Sequence, residues 1–202
     1  MKEKLLFTKR RSLVYSILRI SMVIVITMLL SPVSSRAQTN ASILPDSTKM
    51  TATASPKTTY PKVVGYLSFI LPLETLQDSK LSGNFNGTTK IGFPVGVNVL
   101  YSDKFGFSYE FTPTVTATGT SSKTSNLLFD PGTMFRFQNG FTIITRLAFE
   151  TEGRYGFTPV FNQIYARTKD VNYFVALSLP ARFGNGESAS LGLNLQIGFI
   201  FN

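Results

Sequence analysis

From residue 63 onward, apolar side chains recur at every second position, in runs separated by polar stretches. In Lys90–Tyr101, Ile91, Phe93, Val95, Val97, Val99 and Tyr101 share one parity, and Gly92, Pro94, Gly96, Asn98 and Leu100 the other. In Phe105–Ala117, Phe105, Phe107, Tyr109, Phe111, Pro113 and Val115 alternate with Gly106, Ser108, Glu110, Thr112, Thr114 and Thr116. Successive side chains of a strand point to opposite faces. Each run therefore predicts a strand with one apolar face and one polar or small face. The same alternation marks Val63–Leu71, Leu127–Phe137, Phe141–Glu150, Phe157–Arg167, Val171–Phe183 and Ser190–Asn202, so about eight strands are expected. Pro72 is read as the end of the first.

The connections alternate in kind. Ser102-Asp103-Lys104, Gln138-Asn139-Gly140 and Thr168-Lys169-Asp170 are three-residue turns. Asn-Gly between two alternating runs is a strong hairpin signal. Here it sets Phe137 opposite Phe141, Arg136 opposite Thr142 and Gly132 opposite Arg146. The intervening connections read as polar loops: Leu73–Thr89, the longest, then Gly119–Asn126, Thr151–Tyr155 and Gly184–Glu187. Aromatics gather beside the tight turns. Tyr101, Phe105, Phe137, Phe141, Tyr165, Tyr173 and Phe201 form one expected girdle, with a sparser set (Phe93, Phe149, Phe157, Phe183) toward the other rim.

One-parity apolarity, short turns alternating with longer loops, and aromatic rims are the marks of a membrane barrel. The expected fold is all-β: an eight-stranded antiparallel up-and-down transmembrane β-barrel. Ser190–Asn202 is expected to close the ring against Val63–Leu71. Pro94, Pro113, Pro131, Pro159 and Pro180 fall inside these strands, where a ladder donor would be lost. They mark either bulges or strand ends that protrude beyond lipid. A soluble β-sandwich or lipocalin-like barrel shares the alternation and stays open as an alternative.

The first 62 residues differ in kind. Lys2–Arg11 is basic, Ile20–Leu30 is a short apolar run, Pro32 breaks it, and Ser35-Arg36-Ala37 offers a small-residue cleavage site. This is the layout of a signal peptide over 1–37. Residues 38–62 are rich in Thr, Ser, Ala, Pro and Lys without apolar period, and read as a disordered tail, a flexible periplasmic segment. The barrel is assigned to 63–202. Charge follows the same division. The formal charge is +9, but seven basic residues and one acid lie in 1–37, so +6 belongs to the leader. Nucleic acid is not an expected partner.

The chain contains no histidine and no cysteine. That removes Ser-His and thiol chemistry, disulfides and the commonest transition-metal ligands. No catalytic residue, cofactor site or metal site is assigned. Glu150 and Glu152 read as a solvated pair at a loop rim. Charges on the polar parity are Glu110, Asp130, Arg136, Arg146, Glu150 and Arg182. Inward charges in a narrow barrel must pair, because a lone buried charge is costly. Asp130 is diagonal to Arg146 across the predicted hairpin, within reach of a long side chain. A lumen-filling salt-bridge network is expected, with a gate or small conduit as the alternative.

The sequence over Val63–Asn202 resembles the small outer-membrane β-barrel proteins of the OmpA/OmpX type, and in particular the barrels of Bacteroidetes-like bacteria, whose signal peptides often end in Ala-Gln, as Ala37-Gln38 does. The resemblance implies the cell outer membrane of a Gram-negative envelope, reached after cleavage of the signal peptide. It implies outer-membrane lipid as surroundings and a terminal strand read by the barrel assembly machinery. Asn202 after Phe201 departs from the family's aromatic last residue. Barrel enzymes of this kind rely on a catalytic histidine that this chain lacks. The expected role is structural, in envelope integrity, without catalysis and as a monomer. Loop-mediated binding or adhesion through Leu73–Thr89, a narrow transport channel, and a soluble lipocalin-like carrier are the alternatives.

Overall fold

The computed structural model describes residues 58–201. The expected signal peptide and nearly all of the expected flexible segment lie outside the described residues. Eleven β segments follow one another: β1 (Lys62–Gln77), β2 (Lys80–Gly83), β3 (Thr88–Gly92), β4 (Val95–Leu100), β5 (Phe105–Thr118), β6 (Ser121–Arg136), β7 (Phe141–Glu150), β8 (Arg154–Arg167), β9 (Val171–Ser178), β10 (Ala181–Gly184) and β11 (Ser190–Phe201). They build eight staves, because β3 and β4 continue one line, β9 and β10 another, and β2 extends the hairpin after β1. Every pairing is antiparallel, and β11 closes on β1 from Tyr66↔Ile200 to Gln77↔Ser190. Closure leaves no unpaired sheet edge along this seam.

The turn registers follow the sequence. Arg136 faces Thr142 and Gly132 faces Arg146. Among the described residues, those that are buried outright all carry even numbers except Ala181. One parity therefore lines the interior in every stave. The odd positions face outward: of the 25 exposed large hydrophobics among the described residues, all but Leu76 are odd, among them Phe69, Phe111, Leu147 and Ile197. A soluble barrel would bury that face. The polarity is that of a transmembrane barrel, apolar outside and largely polar within, and it excludes the lipocalin-like arrangement.

Three expectations are corrected. Pro72 does not end the first strand: β1 runs through it to Gln77, with a bulge between Pro72 and Glu74. The expected loop Leu73–Thr89 is a hairpin, β1 against β2, turning at Asp78 and Ser79, both with positive φ. The expected loop Gly119–Asn126 is also strand: β5 and β6 stay paired to Thr118↔Ser121. These extensions keep no strict alternation: the β5–β6 end is mainly Thr, Ser and Lys, and the β1–β2 hairpin mixes Leu73, Leu76 and Leu81 with polar residues, because a strand in water needs no continuous apolar side. Hydrophobic periodicity is silent there.

The in-strand prolines sit where the ladder is already interrupted. Pro94 and Pro180 lie in the gaps between β3 and β4 and between β9 and β10. Pro113 and Pro159 face those gaps, accepting from the amides of Phe93 and Leu179. Pro131 lies in the one interruption of the β6–β7 register, between Phe129↔Phe149 and Gly132↔Arg146. Each missing donor thus falls at a gap where no complete pair is formed.

Candidate functional site

The lumen is layered, and the layers define the site. At the end of the three-residue turns, Leu100, Met134, Ile144, Val160, Phe174 and Ala176 pack around the Tyr66 ring, with Val64, Ile164 and Ile200 against them. This apolar plug corrects the expectation of a polar or small inner face. Tyr60 packs on it and donates its hydroxyl hydrogen bond to Asp103. The end of the expected flexible segment is therefore docked on the barrel. The Asp103 hydrogen bond raises the Tyr60 hydroxyl pKa above its ordinary value. A cavity of about 100 Å³ beside the plug is lined in part by Lys62, Arg136 and Asn162.

Above the plug lies the first charged row. Arg146 Nη1 pairs with Glu110 Oε2 at 3.0 Å, both side chains almost fully buried. The Tyr66 hydroxyl donates to Glu110 Oε2 at 2.8 Å and accepts from Arg146 Nη2 at 2.8 Å. Ser108 accepts from Arg146, while Thr112 and Gln196 donate to the Glu110 carboxylate. One anion and one cation are thus each met by several polar partners, which a dry ion pair requires. Two glycines make the room. A Cβ on Gly96 would lie 2.1 Å from the Tyr66 ring, and one on Gly132 would lie 2.3 Å from the Thr145 carbonyl and 2.7 Å from Arg146 Cγ.

A second row follows toward the opposite end. Arg182 Nε pairs with Glu150 Oε1 at 2.7 Å, and its Nη1 donates to Thr158 Oγ1 and to two backbone carbonyls. At the rim, Arg154 pairs with Glu187 at 3.2 Å and donates to Ser190 and the carbonyls of Arg182 and Ser188. Beyond the second row the lumen opens into a cup of about 510 Å³.

The six expected network charges are distributed unevenly. Glu110, Arg146, Glu150 and Arg182 form the two rows. Arg146 goes to Glu110, directly across from Asp130, rather than to Asp130 itself. Asp130 is 2% exposed, and its Oδ1 has no protein hydrogen-bond partner, nor does Arg146 Nε. Arg136 stands apart: it lines the cavity at the turn end and acts on Tyr60. Diagonal reach across one hairpin is a local criterion, and Glu110 on the next stave offered Arg146 a carboxylate already held by Tyr66. Sequence reasoning passed over Tyr66, Ser108, Thr112 and Gln196. Their signal was present in the inward parity they share with Glu110.

The expected girdle residues lie on the outer surface near the turns. Phe137 and Phe141 pair at 5.7 Å, Tyr165 and Tyr173 at 6.4 Å. Phe105 packs on Phe135 at 5.5 Å, Tyr101 on Phe107 at 5.9 Å and Phe201 on Phe199 at 5.5 Å. Phe157 and Tyr155 stack near Phe183 toward the other end. Such rings, apolar with a polarisable or polar edge, suit the membrane–water boundary.

No family model matches the sequence, and no curated protein matches it. Among solved structures, the chain is similar to a de novo designed transmembrane β-barrel, with 8% identity, 71% of this chain and 97% of that one covered, and a TM-score of 0.45. It is also similar to the outer membrane protein OprG from Pseudomonas aeruginosa, with 11% identity, 69% and 93% covered, and a TM-score of 0.40. Residue roles do not transfer at such identities.

Proposed function

We propose that the protein is a small outer-membrane β-barrel closed to solute passage, non-catalytic, and serving the integrity of the envelope. The layering of the lumen carries this reading. The Glu150–Arg182 row and the Glu110–Arg146 row stand in series with an apolar plug. An ion crossing the barrel would have to break both rows and then part packed side chains. Eight-stranded interiors are just wide enough for side chains to fill. A narrow channel would need the plug to move as well as the ion pairs.

The membrane assignment is supported by the exposed apolar parity, the closed ring and the aromatic rim. The leader layout of residues 1–37 supports export. The absence of histidine and cysteine from the sequence supports a role without nucleophilic or thiol chemistry. Outer-membrane lipid is the expected surrounding, the assembly machinery is the expected reader of Ser190–Asn202, and the barrel is expected to act as a monomer.

Planar-bilayer recording on the purified full chain tests closure. The wild-type protein should give near-zero conductance. Arg146→Ala should stay silent, because the plug is untouched, while its thermal unfolding in detergent shifts downward. Sustained conductance steps from the wild-type barrel would overturn the closed reading. Steps appearing in Arg146→Ala alone, at unchanged thermal stability, would replace it with a gate.

A further inference from the structure

The small cavity at the turn end is lined by charge of one sign. Lys62, Arg136 and Arg146 line it, and no carboxylate does. Arg146 is matched by Glu110. Neither Lys62 nor Arg136 has a carboxylate partner among the described residues. Arg136 acts on the Tyr60 hydroxyl, which Asp103 engages as well, but Tyr60 and Asp103 both stand outside the lining. A guanidinium carries five N–H donors, so one hydroxyl does not exhaust Arg136. Two cations therefore meet at the mouth, Lys62 from the first residue of β1 and Arg136 from the last of β6.

The inner end of the cavity has unmet hydrogen bonds of both kinds. Arg146 directs Nη1 to Glu110 and Nη2 to Tyr66 and Ser108, while its Nε has no protein partner. Asn98 Oδ1 has none either. Both side chains line the cavity, and they are only 3% and 4% exposed. One orphan is a donor and the other an acceptor. A hydroxyl group gives one hydrogen bond and receives another, so it can answer both. Between the two ends the wall is apolar, with Val64, Leu100, Met134, Ile144 and Ile164. The registers set the depth. Asn98 faces Val64, two residues in from Lys62, and Arg146 faces Gly132, four in from Arg136. At about 3.3 Å per residue the two ends lie roughly 7–13 Å apart along the strands, less the reach of the Lys62 and Arg136 side chains.

We propose that this cavity binds a short hydroxy acid, with its carboxylate between Lys62 and Arg136, its carbon chain along the apolar wall and its hydroxyl toward Arg146 Nε and Asn98 Oδ1. A volume of about 100 Å³ restricts the chain to a few carbons. Inorganic phosphate would meet the cations but leave the apolar wall and the inner orphans unanswered. The site is entered from the turn end and needs no passage through the plug, so it stands whether or not the barrel conducts.

Isothermal titration calorimetry of the detergent-solubilised full chain at low salt, with 5-hydroxypentanoate as probe and micelles alone as blank, tests the assignment. Saturable binding is expected. Pentanoate, which lacks the hydroxyl, should bind about fivefold more weakly, and the uncharged 1,5-pentanediol should not bind. Arg136→Gln should weaken the hydroxy acid about tenfold, the loss expected for one nearby charge at intermediate dielectric. Lys62→Gln, at the exposed mouth, should weaken it about threefold by the same reasoning with more solvent screening. Asn98→Ala should abolish the preference for 5-hydroxypentanoate over pentanoate. Should Asn98→Ala fail to fold, the wild-type comparison of the two acids and Lys62→Gln carry the test. No saturable binding, equal binding of the two acids by the wild type, binding of the diol, or tighter binding of inorganic phosphate would each overturn the assignment. So would undiminished affinity in the folded mouth variants, or a preference that survives in folded Asn98→Ala.

Discussion

At the scale of single residues, Glu110 is the centre of the lumen. Its carboxylate answers Arg146 and accepts from Tyr66, Thr112 and Gln196. Glu110→Gln leaves the Arg146 guanidinium without its partner in a dry interior, a loss of about 3–5 kcal/mol in comparable buried pairs. Asp130 next door offers a substitute carboxylate, so the lower end of that range is expected. Tyr66→Phe removes one hydroxyl from the same row and should cost about 1–3 kcal/mol. Urea unfolding in detergent, followed by the heat-modifiable gel shift, measures both. Parity makes Glu110, Arg146, Glu150 and Arg182 readable from the sequence as inward charges. The choice of partner is not readable, because it depends on side chains from three staves, 44 and 80 positions apart in the chain for Tyr66 and its two contacts. Gly96 and Gly132 read as small inward residues, but their purpose emerges only with the ring and guanidinium that occupy the space above them.

At the scale of elements, the staves divide into a lipid-facing middle and water-exposed extensions. The β5–β6 hairpin is the clearest case. Its outer pairs, from Thr116↔Lys123 to Thr118↔Ser121, are at least half-exposed and, Ala117 apart, polar on both faces. Backbone hydrogen bonds in such a segment open locally with little free energy. Amide exchange should therefore be orders of magnitude faster there than at Ser108–Glu110 of the same strand. Slow exchange throughout β5 would contradict this division. The eight-stave count, the turn registers and the closing pair are legible in the alternation, because lipid on one side and a filled lumen on the other enforce a strict period. The extensions are not, since water imposes no such period. The prolines are half legible: their position toward the loop end is in the sequence, but the ladder gaps they occupy are a property of paired neighbours.

At the scale of the whole molecule, the outer belt and the stratified interior set what the barrel tolerates. Leu147 is 57% exposed on the outer face of β7. Leu147→Lys places a cation on a lipid-facing position and should cost about 2–4 kcal/mol near the middle of the bilayer. Thr124→Lys, on the exposed part of β6, should leave stability within about 0.5 kcal/mol, as surface substitutions usually do. Equilibrium folding into lipid vesicles distinguishes the two, and equal effects would remove Leu147 from the membrane. The belt is legible in the sequence. The apolar plug at the turn end is not obvious from it, although Leu100, Met134, Ile144 and Phe174 sit on the inward parity. Their convergence at one depth follows from the stagger of the staves, which no single strand reveals.

The even-numbered interior makes the chain behave like a text with a two-letter reading frame. Across the belt the count is never lost. The three register shifts lie near stave ends, at Pro72/Glu74, Thr114/Val115 and Ile164/Ala166. Adding one residue to the Ser102–Lys104 turn would need a bulge beside it, like the one at Ile164/Ala166, or the next stave would slip out of phase, turning Glu110 toward lipid and Phe111 toward the lumen. Adding two would restore the message. Length variation in this barrel is therefore taken up two residues at a time, or one residue at a time together with a bulge.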